Sequence, residues 1–460
     1  MTRHLHAIRL TLLVLGLATL GQAQYVEDSI DVGGSWVGSM AYNSREDVVY
    51  GVCNTSDFVF AIDCRTNSVV SRISVDYPKY MAYDSLDNKL YCTFGYERES
   101  VLVVDGFTHQ RLRAIPMRGA NIPGWDRIYN RVYVSCEAQW DVKVIDCRTD
   151  SVIATIRTGD GPLKMHINPR RRKLYVQNHD EGTIAVVDMT RNEVVRSIRV
   201  RQCTQSGAYD TCSDTYWVGL PDRAMVIDCA TESVIAEIPT GIDRNVLSVA
   251  ANGAGRVMLG VTGANVLLTY DSYTRALLAS VPIGSVPRSV VWNAGRSMLY
   301  VANSMSNCVS AVSGDGSMLL ASLPVQNCPS AMAYSVTTRR VYVGHSNTRL
   351  VYVLRDEADA LPRRSPVGDT AAASARLLST PFSGVASIAI EGRVTEGGEL
   401  QVFTSAGNCI RQLLPASVEP GCSVWRWDGR DAQGRAAPAG VYLFAPAGSR
   451  SAAVRGVKLR

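Results

Sequence analysis

Apolar and polar positions along this chain fall into short alternating runs separated by turn residues, and the stretch Leu163–Val200 contains one full cycle. Four runs, LKMHI, KLYVQ, TIAVVD and VVRSIRV, are divided by a polar turn, by HDEG and by TRNE. Val, Ile and Tyr suit a pleated surface, and the Asp, Asn and Gly clusters supply turn chemistry, so the cycle predicts one four-stranded antiparallel sheet.

The cycle repeats. The aromatic or apolar marker of the second strand recurs at Tyr50, Tyr91, Tyr133, Tyr175, Trp217, Met258, Tyr300 and Tyr342. The acid that ends the third strand keeps the same beat at Asp63, Asp105, Asp146, Asp188, Asp228 and Asp271, and is lost at Ser313 and Arg355. A period of 41 or 42 residues with four strands per cycle predicts an all-β fold, a β-propeller over residues 24–356. Counting markers gives eight blades. Seven is the alternative if one copy is degenerate, the weakest being the repeat around Gln205–Trp217. The segment YVEDSIDVG, residues 25–33, reads as a fourth strand without a blade of its own and is expected to complete the last blade, removing an exposed edge.

Residues 357–379 are rich in Ala, Pro and Ser without strand periodicity and read as a linker. Six or seven short strand-like runs in residues 380–460 predict a small β-sandwich. In its strand GVYLF, Val441 and Leu443 are expected to face one side and Tyr442 and Phe444 the other.

Two resemblances follow from these residues. LYVAN at Leu299–Asn303, LYVQN at Leu174–Asn178, and the VIDCRTDSVIATIRTG and VIDCATESVIAEIPTG segments from Val144 and Val226 resemble the YVTN-type β-propeller repeat. That resemblance implies a propeller scaffold, and with it binding modules, lactonases, lyases or oxidoreductases. WDGRDAQGRAAPAGVYLF at Trp427–Phe444, with TPFSG, FTSAGNCIRQL and the closing VKLR, resembles the Ig-like domain of flagellar hook-capping proteins and the C-terminal domains that sort proteins through type IX secretion. It implies a sorting or attachment module, with secretion machinery as a partner.

Arg3 and Arg9 precede the apolar run Leu10–Leu20, and Gly21-Gln22-Ala23 offers small residues for cleavage. Residues 1–23 therefore read as a signal peptide, too short in its apolar core to span a bilayer, and no other run is long enough to cross one. The expected location is extracellular or at the cell surface, with the periplasm as alternative. Export makes disulfides possible among the twelve cysteines. Cys203 with Cys212, bracketing a short loop, and Cys409 with Cys422, on what read as neighbouring strands, are the candidate pairs. Cys64, Cys147 and Cys229 follow the third-strand acid at one repeat position and are either bridged or buried thiols.

The net charge of +5 equals the excess of 12 Lys and Arg over 7 Asp and Glu in residues 363–460, so the propeller is near neutral and nucleic-acid binding has no support. Only six histidines occur, two of them before residue 7. His166 is the one histidine on an inner strand and reads as a structural residue. His179, Asp180 and Glu181 share a tight turn that could form a metal or acid–base cluster but reads as ordinary turn polarity. The third-strand acids read as turn caps. No cofactor motif is found. The loops joining second and third strands differ most between repeats, and Tyr96 and Trp140 in adjacent blades are candidate contacts for a protein or glycan partner. The reading is an exported non-enzymatic binding protein. An exported propeller hydrolase or lyase is the alternative, and a quinone-dependent dehydrogenase a weaker third.

Overall fold

The computed structural model describes residues 24–95, 99–200, 206–241, 244–293, 295–356, 374–377, 386–391, 400–404, 409–413, 417–419, 422–446 and 454–458. The expected signal peptide lies outside these residues. The chain divides into two compact units, Met1–Leu361 and Pro362–Arg460.

In the first unit, eight four-stranded antiparallel sheets form the blades of a propeller, which settles the count at eight. Blade 1 runs from an inner strand, Val37–Asn43, through Val48–Cys53 and Phe58–Asp63 to an outer strand, Ser68–Ser74. Blades 2 to 7 repeat that order in sequence. The repeat expected to be weakest forms a full blade with Ser206–Asp210 as its inner strand. Blade 8 combines Pro329–Ser335, Arg340–His345 and Leu350–Asp356 with the N-terminal strand Gln24–Asp31, which pairs Tyr25 with Arg355 and Ile30 with Val351. The loss of the acid at Arg355 follows from this closure. The third strand of blade 8 has no hairpin to a fourth, so no turn there needs a cap.

Blades pack face to face, so their two middle strands are covered on both sides. VVYGVC in blade 1 is buried at every position, whereas the outer strand SVVSRIS is mostly exposed. The cores are seams between neighbours: Tyr342 and Val353 of blade 8 pack with Val49 and Ile62 of blade 1, and Tyr50 and Val59 of blade 1 with Leu90 and Leu102 of blade 2. All eight second-strand markers are buried in such seams. Burying an aromatic or aliphatic side chain at each contributes about 1.5–3 kcal/mol.

Outer strands end the sheets with a bulge. In blades 1 to 7 the register skips one aliphatic residue, such as Val70, Ile153 or Leu278, which is left exposed. In blade 8 the skip between Val26 and Asp28 falls on Glu27. Bulges twist an edge away from further pairing.

The second unit contains two four-stranded sheets. One orders Ser374–Leu377, Ala386–Glu391, Cys422–Trp427 and Ser417–Glu419, the other Cys409–Leu413, Leu400–Thr404, Gly440–Pro446 and Val454–Lys458. They share a core in which Trp425 and Trp427 meet Val402, Tyr442 and Phe444, with Trp427 edge-on to both aromatics. Two details depart from the sequence reading. Ser374–Leu377 is a strand of this unit although it falls inside the expected linker. Cys409 and Cys422 stand on strands of different sheets, not on neighbours in one.

Candidate functional site

Strand direction alternates within a blade, so the loops between second and third strands share one face with the blade-to-blade connections. Among the described residues, these connections are turned by residues in the left-handed region, Trp36, Tyr77, Gly119, Gly161, Val286 and Cys328 among them. For a β-branched residue such as Val286 that conformation is costly, and it persists because the surrounding loops fix it.

On this face a cleft of about 470 Å3 lies across blades 2, 3 and 4. Lys79 and Glu99 come from blade 2, Asn121, Glu137 and Trp140 from blade 3, and Asp160 and Asp180 from the approach to blade 4 and its loop. Lys79 Nζ stands 2.7 Å from Glu99 Oε1, and the Gly119 N–H donates to Glu99 Oε2. Burial opposes ionisation of Glu99, but Lys79 and that N–H outweigh it and hold its carboxyl below the usual range. Asn121 Nδ2 donates to Glu137 Oε2 at 2.8 Å. Glu181 Oε2 accepts the Asp160 N–H at 3.2 Å, which brings the connecting loop to the cleft wall. Gly159 makes this approach possible: at φ +135°, any Cβ would run into the Glu181 carboxylate.

Trp140 follows a short 3-10 turn, Glu137–Gln139, takes φ +60° and is 46% exposed. Arg157 of its own outer strand covers the ring at 5.2 Å from the centroid. The ring thus rests on its own blade and also lines the cleft. Four carboxylates against one ammonium, beside an indole and a carboxamide, form a surface that accepts hydrogen bonds from hydroxyl or cationic groups and stacks a flat apolar one.

Of the residues singled out from sequence, Trp140 and Asp180 line the cleft, while Tyr96 lies outside the described residues. His179 Nδ1 is 3.1 Å from Asp180 Oδ1, but Glu181 turns to Asp160, and no group of three metal-ligating side chains forms among the described residues. The third-strand acids cap turns: Asp63 Oδ1 accepts from the Arg65 and Thr66 N–H groups, and Asp146 and Asp228 repeat this on the face opposite the cleft. Where the acid is lost at Ser313, Asp315 accepts from Ser317 instead. Cys64, Cys147 and Cys229 are buried thiols, and burial pushes them up to about 12, 12 and 11. No two described cysteines are bonded. Cys203 and the side chain of Cys422 lie outside the described residues, so the two candidate disulfides stay as expectations.

Sequence reasoning missed Lys79, Glu99, Asn121, Glu137 and Asp160. Their one available signal was that charged residues crowd the variable loops of adjacent repeats.

No protein-family model matches the chain, and no curated protein matches it in sequence. Among solved structures, the computationally designed Ika8 protein superposes with a TM-score of 0.58 at 13% identity, covering 71% of this chain and 98% of that one. This likeness bears on the fold alone. Hydrazine synthase of Kuenenia stuttgartiensis reaches 0.49 at 19% identity, over 62% of this chain and 97% of that chain. At that score it carries no argument.

Proposed function

We propose that this protein is an exported, non-enzymatic binding protein whose propeller holds a glycan at or outside the cell surface, with the C-terminal unit serving secretion sorting or attachment. One observation carries the binding part. The cleft gathers an exposed indole, a carboxamide and four carboxylates from three blades on the face where the repeats differ most. Sugar rings offer a flat C–H face for Trp140 and hydroxyl donors for Glu137, Asp160 and Asp180. Polar side chains there are held by local partners, Lys79 by Glu99 and Asn121 by Glu137, so the surface is preformed.

The YVTN-like repeats and the hook-capping or sorting-type tail support the exported reading by resemblance, together with the leader-like residues 1–23. Glycan-array screening of the secreted chain tests the binding. The expected result is retention on a restricted set of glycans, weakened at least tenfold by Trp140→Ala. An empty array, or one unchanged in that variant, overturns it. Mass spectrometry of the protein's C-terminus in surface, medium and periplasmic fractions tests sorting. Loss of the segment after about residue 379 in the outer fractions is expected, and an intact chain confined to the periplasm contradicts it.

A further inference from the structure

Strand register makes the eight blades directly comparable around the axis. The inner-strand residue paired with the second-strand marker is alanine in five blades, Gly124 in blade 3 and Val291 in blade 7. These residues pack into the seams between blades, as Ala41, Ala250 and Ala333 do. In blade 4 the same place holds His166, paired with Tyr175.

Three further departures surround it. The residue before the marker is aliphatic in seven blades, as at Val49 and Leu174, but is Tyr216 in blade 5. The position filled elsewhere by Met40, Pro123 or Val249 is Gly207, where a Cβ would stand 2.7 Å from Tyr216 Oη. Gln177 is buried where blades 5, 6 and 8 have glycine. These four form one network: Gln177 Nε2 donates to Tyr216 Oη at 2.8 Å and to the Ser206 carbonyl at 3.0 Å. Tyr216 Oη lies 2.9 Å from His166 Nδ1. With Gln177 donating to the phenol, the phenol donates to Nδ1 and places the ring proton on Nε2. A histidine satisfied in this way explains the network but leaves its neighbour unexplained.

That neighbour is Lys164, two residues earlier on the same face of the inner strand and only partly exposed. It has no ion pair or hydrogen bond among the described residues, whereas Lys79 near the channel mouth is held by Glu99. At its level five of the other inner strands carry hydroxyls, among them Ser39, Tyr80 and Ser289, two carry Ile122 and Ala331, and none carries a carboxylate. Surrounding protein lowers the Lys164 ammonium from its ordinary value, and burial with the nearby ammonium takes His166 down to about 3, so His166 is neutral. An ammonium drawn out of water without a counter-charge is unfavourable, and an anion that binds beside it removes that cost.

We propose that the channel between blades 4 and 5 is a second binding site, in which Lys164 pairs with the carboxylate of an organic anion. One positive charge, with hydroxyls at its level on five of the other inner strands, matches one carboxylate. A phosphate dianion calls for more cations or a cradle of backbone N–H groups. Both a free small acid and the C-terminus of a peptide offer that group. This site shares no residue with the loop-face cleft, so either reading can fail alone.

Saturation-transfer NMR on the full chain is the test, with sodium acetate as the free-acid probe and a blocked tripeptide, as acid and as amide, for the chain terminus. Acetate is expected to give a saturable signal that weakens at least tenfold in Lys164→Met and persists in Arg288→Gln, an exposed inner-strand cation used as control. Stronger transfer to the tripeptide acid than to acetate, with none to its amide, identifies a chain terminus as the source. Thermal melting of Lys164→Met is expected at or above the wild-type temperature, because an unpaired cation has been removed. A saturable signal from neither carboxylate, equal binding in Lys164→Met, equal loss in Arg288→Gln, or a lowered melt of Lys164→Met overturns the proposal.

Discussion

The hydroxyl of Tyr91 in blade 2 donates to Asp150 Oδ1 in blade 3 at 2.6 Å, across the seam between the blades. Lys89, two residues earlier, reaches the same turn, with Nζ 2.8 Å from both the Cys147 carbonyl and Asp150 Oδ2. The contact recurs at the seams that blade 1 makes with blade 2 and blade 8 makes with blade 1. Tyr50 meets Gly106 and His109, Tyr342 meets Cys64 and Asn67, and Arg340 donates to the Cys64 carbonyl. Asn67, His109 and Asp150 all occupy the left-handed position of the turn that the third-strand acid caps. At these three seams the two periodic markers are therefore the two ends of one inter-blade contact.

Tyr91→Phe deletes a hydrogen bond to a carboxylate that Lys89 still pairs. Destabilisation by about 1–2 kcal/mol is expected. Tyr133 is equally buried, but its hydroxyl has no hydrogen-bond partner among the described residues, so Tyr133→Phe should be neutral or slightly stabilising. Urea midpoints of the two variants, compared side by side, decide whether the seam contact has this value.

Glu27 locks the closing strand. Arg340 grips both its oxygens at 2.6 Å and Arg355 adds a contact at 3.5 Å. The Arg340 hydrogen bonds, opposed by burial and aided by both guanidinium charges, hold the Glu27 carboxyl below its ordinary value. A carboxyl depressed by folding gives its stabilisation in full above the unfolded-state value and loses it as pH falls through the folded one. Glu27→Gln should cost about 1–3 kcal/mol at neutral pH. Its deficit against wild type should shrink on acidification below about pH 4, read from denaturation midpoints across that range.

The buried thiols should be silent. Cys53, Cys64, Cys92, Cys136 and Cys147 are covered, and burial pushes each of them up to about 12. Neither access nor thiolate is available in the native state. Alkylation at mild alkaline pH followed by peptide mapping should label these five only after unfolding. Rapid native labelling of any of them contradicts the packing.

Gly159→Ala puts a side chain into a left-handed conformation and against Glu181. A loss of about 1–3 kcal/mol is expected, together with weaker binding in the cleft, because Glu181 must leave the Asp160 N–H. Retained stability and affinity would show that the connection has room to move.

The propeller was legible in the sequence because its markers mediate seams that every blade must make. Tyr91 and Asp146 recur because the buried seam and the capped turn recur. The N-terminal strand could be assigned from its likeness to other outer strands. The cleft was legible only through Trp140 and Asp180, since Glu99 and Asp160 come to one cleft by the placement of loops that follow no repeat. Tyr216, Gly207 and Gln177 were hidden for a different reason. Each is unremarkable locally, and their joint departure emerges only when strand register aligns eight copies. His166 was noticed, but the phenol that satisfies it is 50 residues away in sequence. The tail strand Ser374–Leu377 was missed because an Ala- and Ser-rich context masks a short edge strand.

The pairing of Tyr25 with Arg355 also sets an order of events. The strand that completes blade 8 is made first, and its partner follows roughly 330 residues later in the chain. Until Leu350–Asp356 has been synthesised, the ring is an open arc with an uncovered seam at each end, and seven blades' worth of folded chain must wait for closure. A chain cut short anywhere before Leu350 never closes. Its first strand and its last seam stay available to another such fragment, so incomplete products should associate with each other while the finished ring does not.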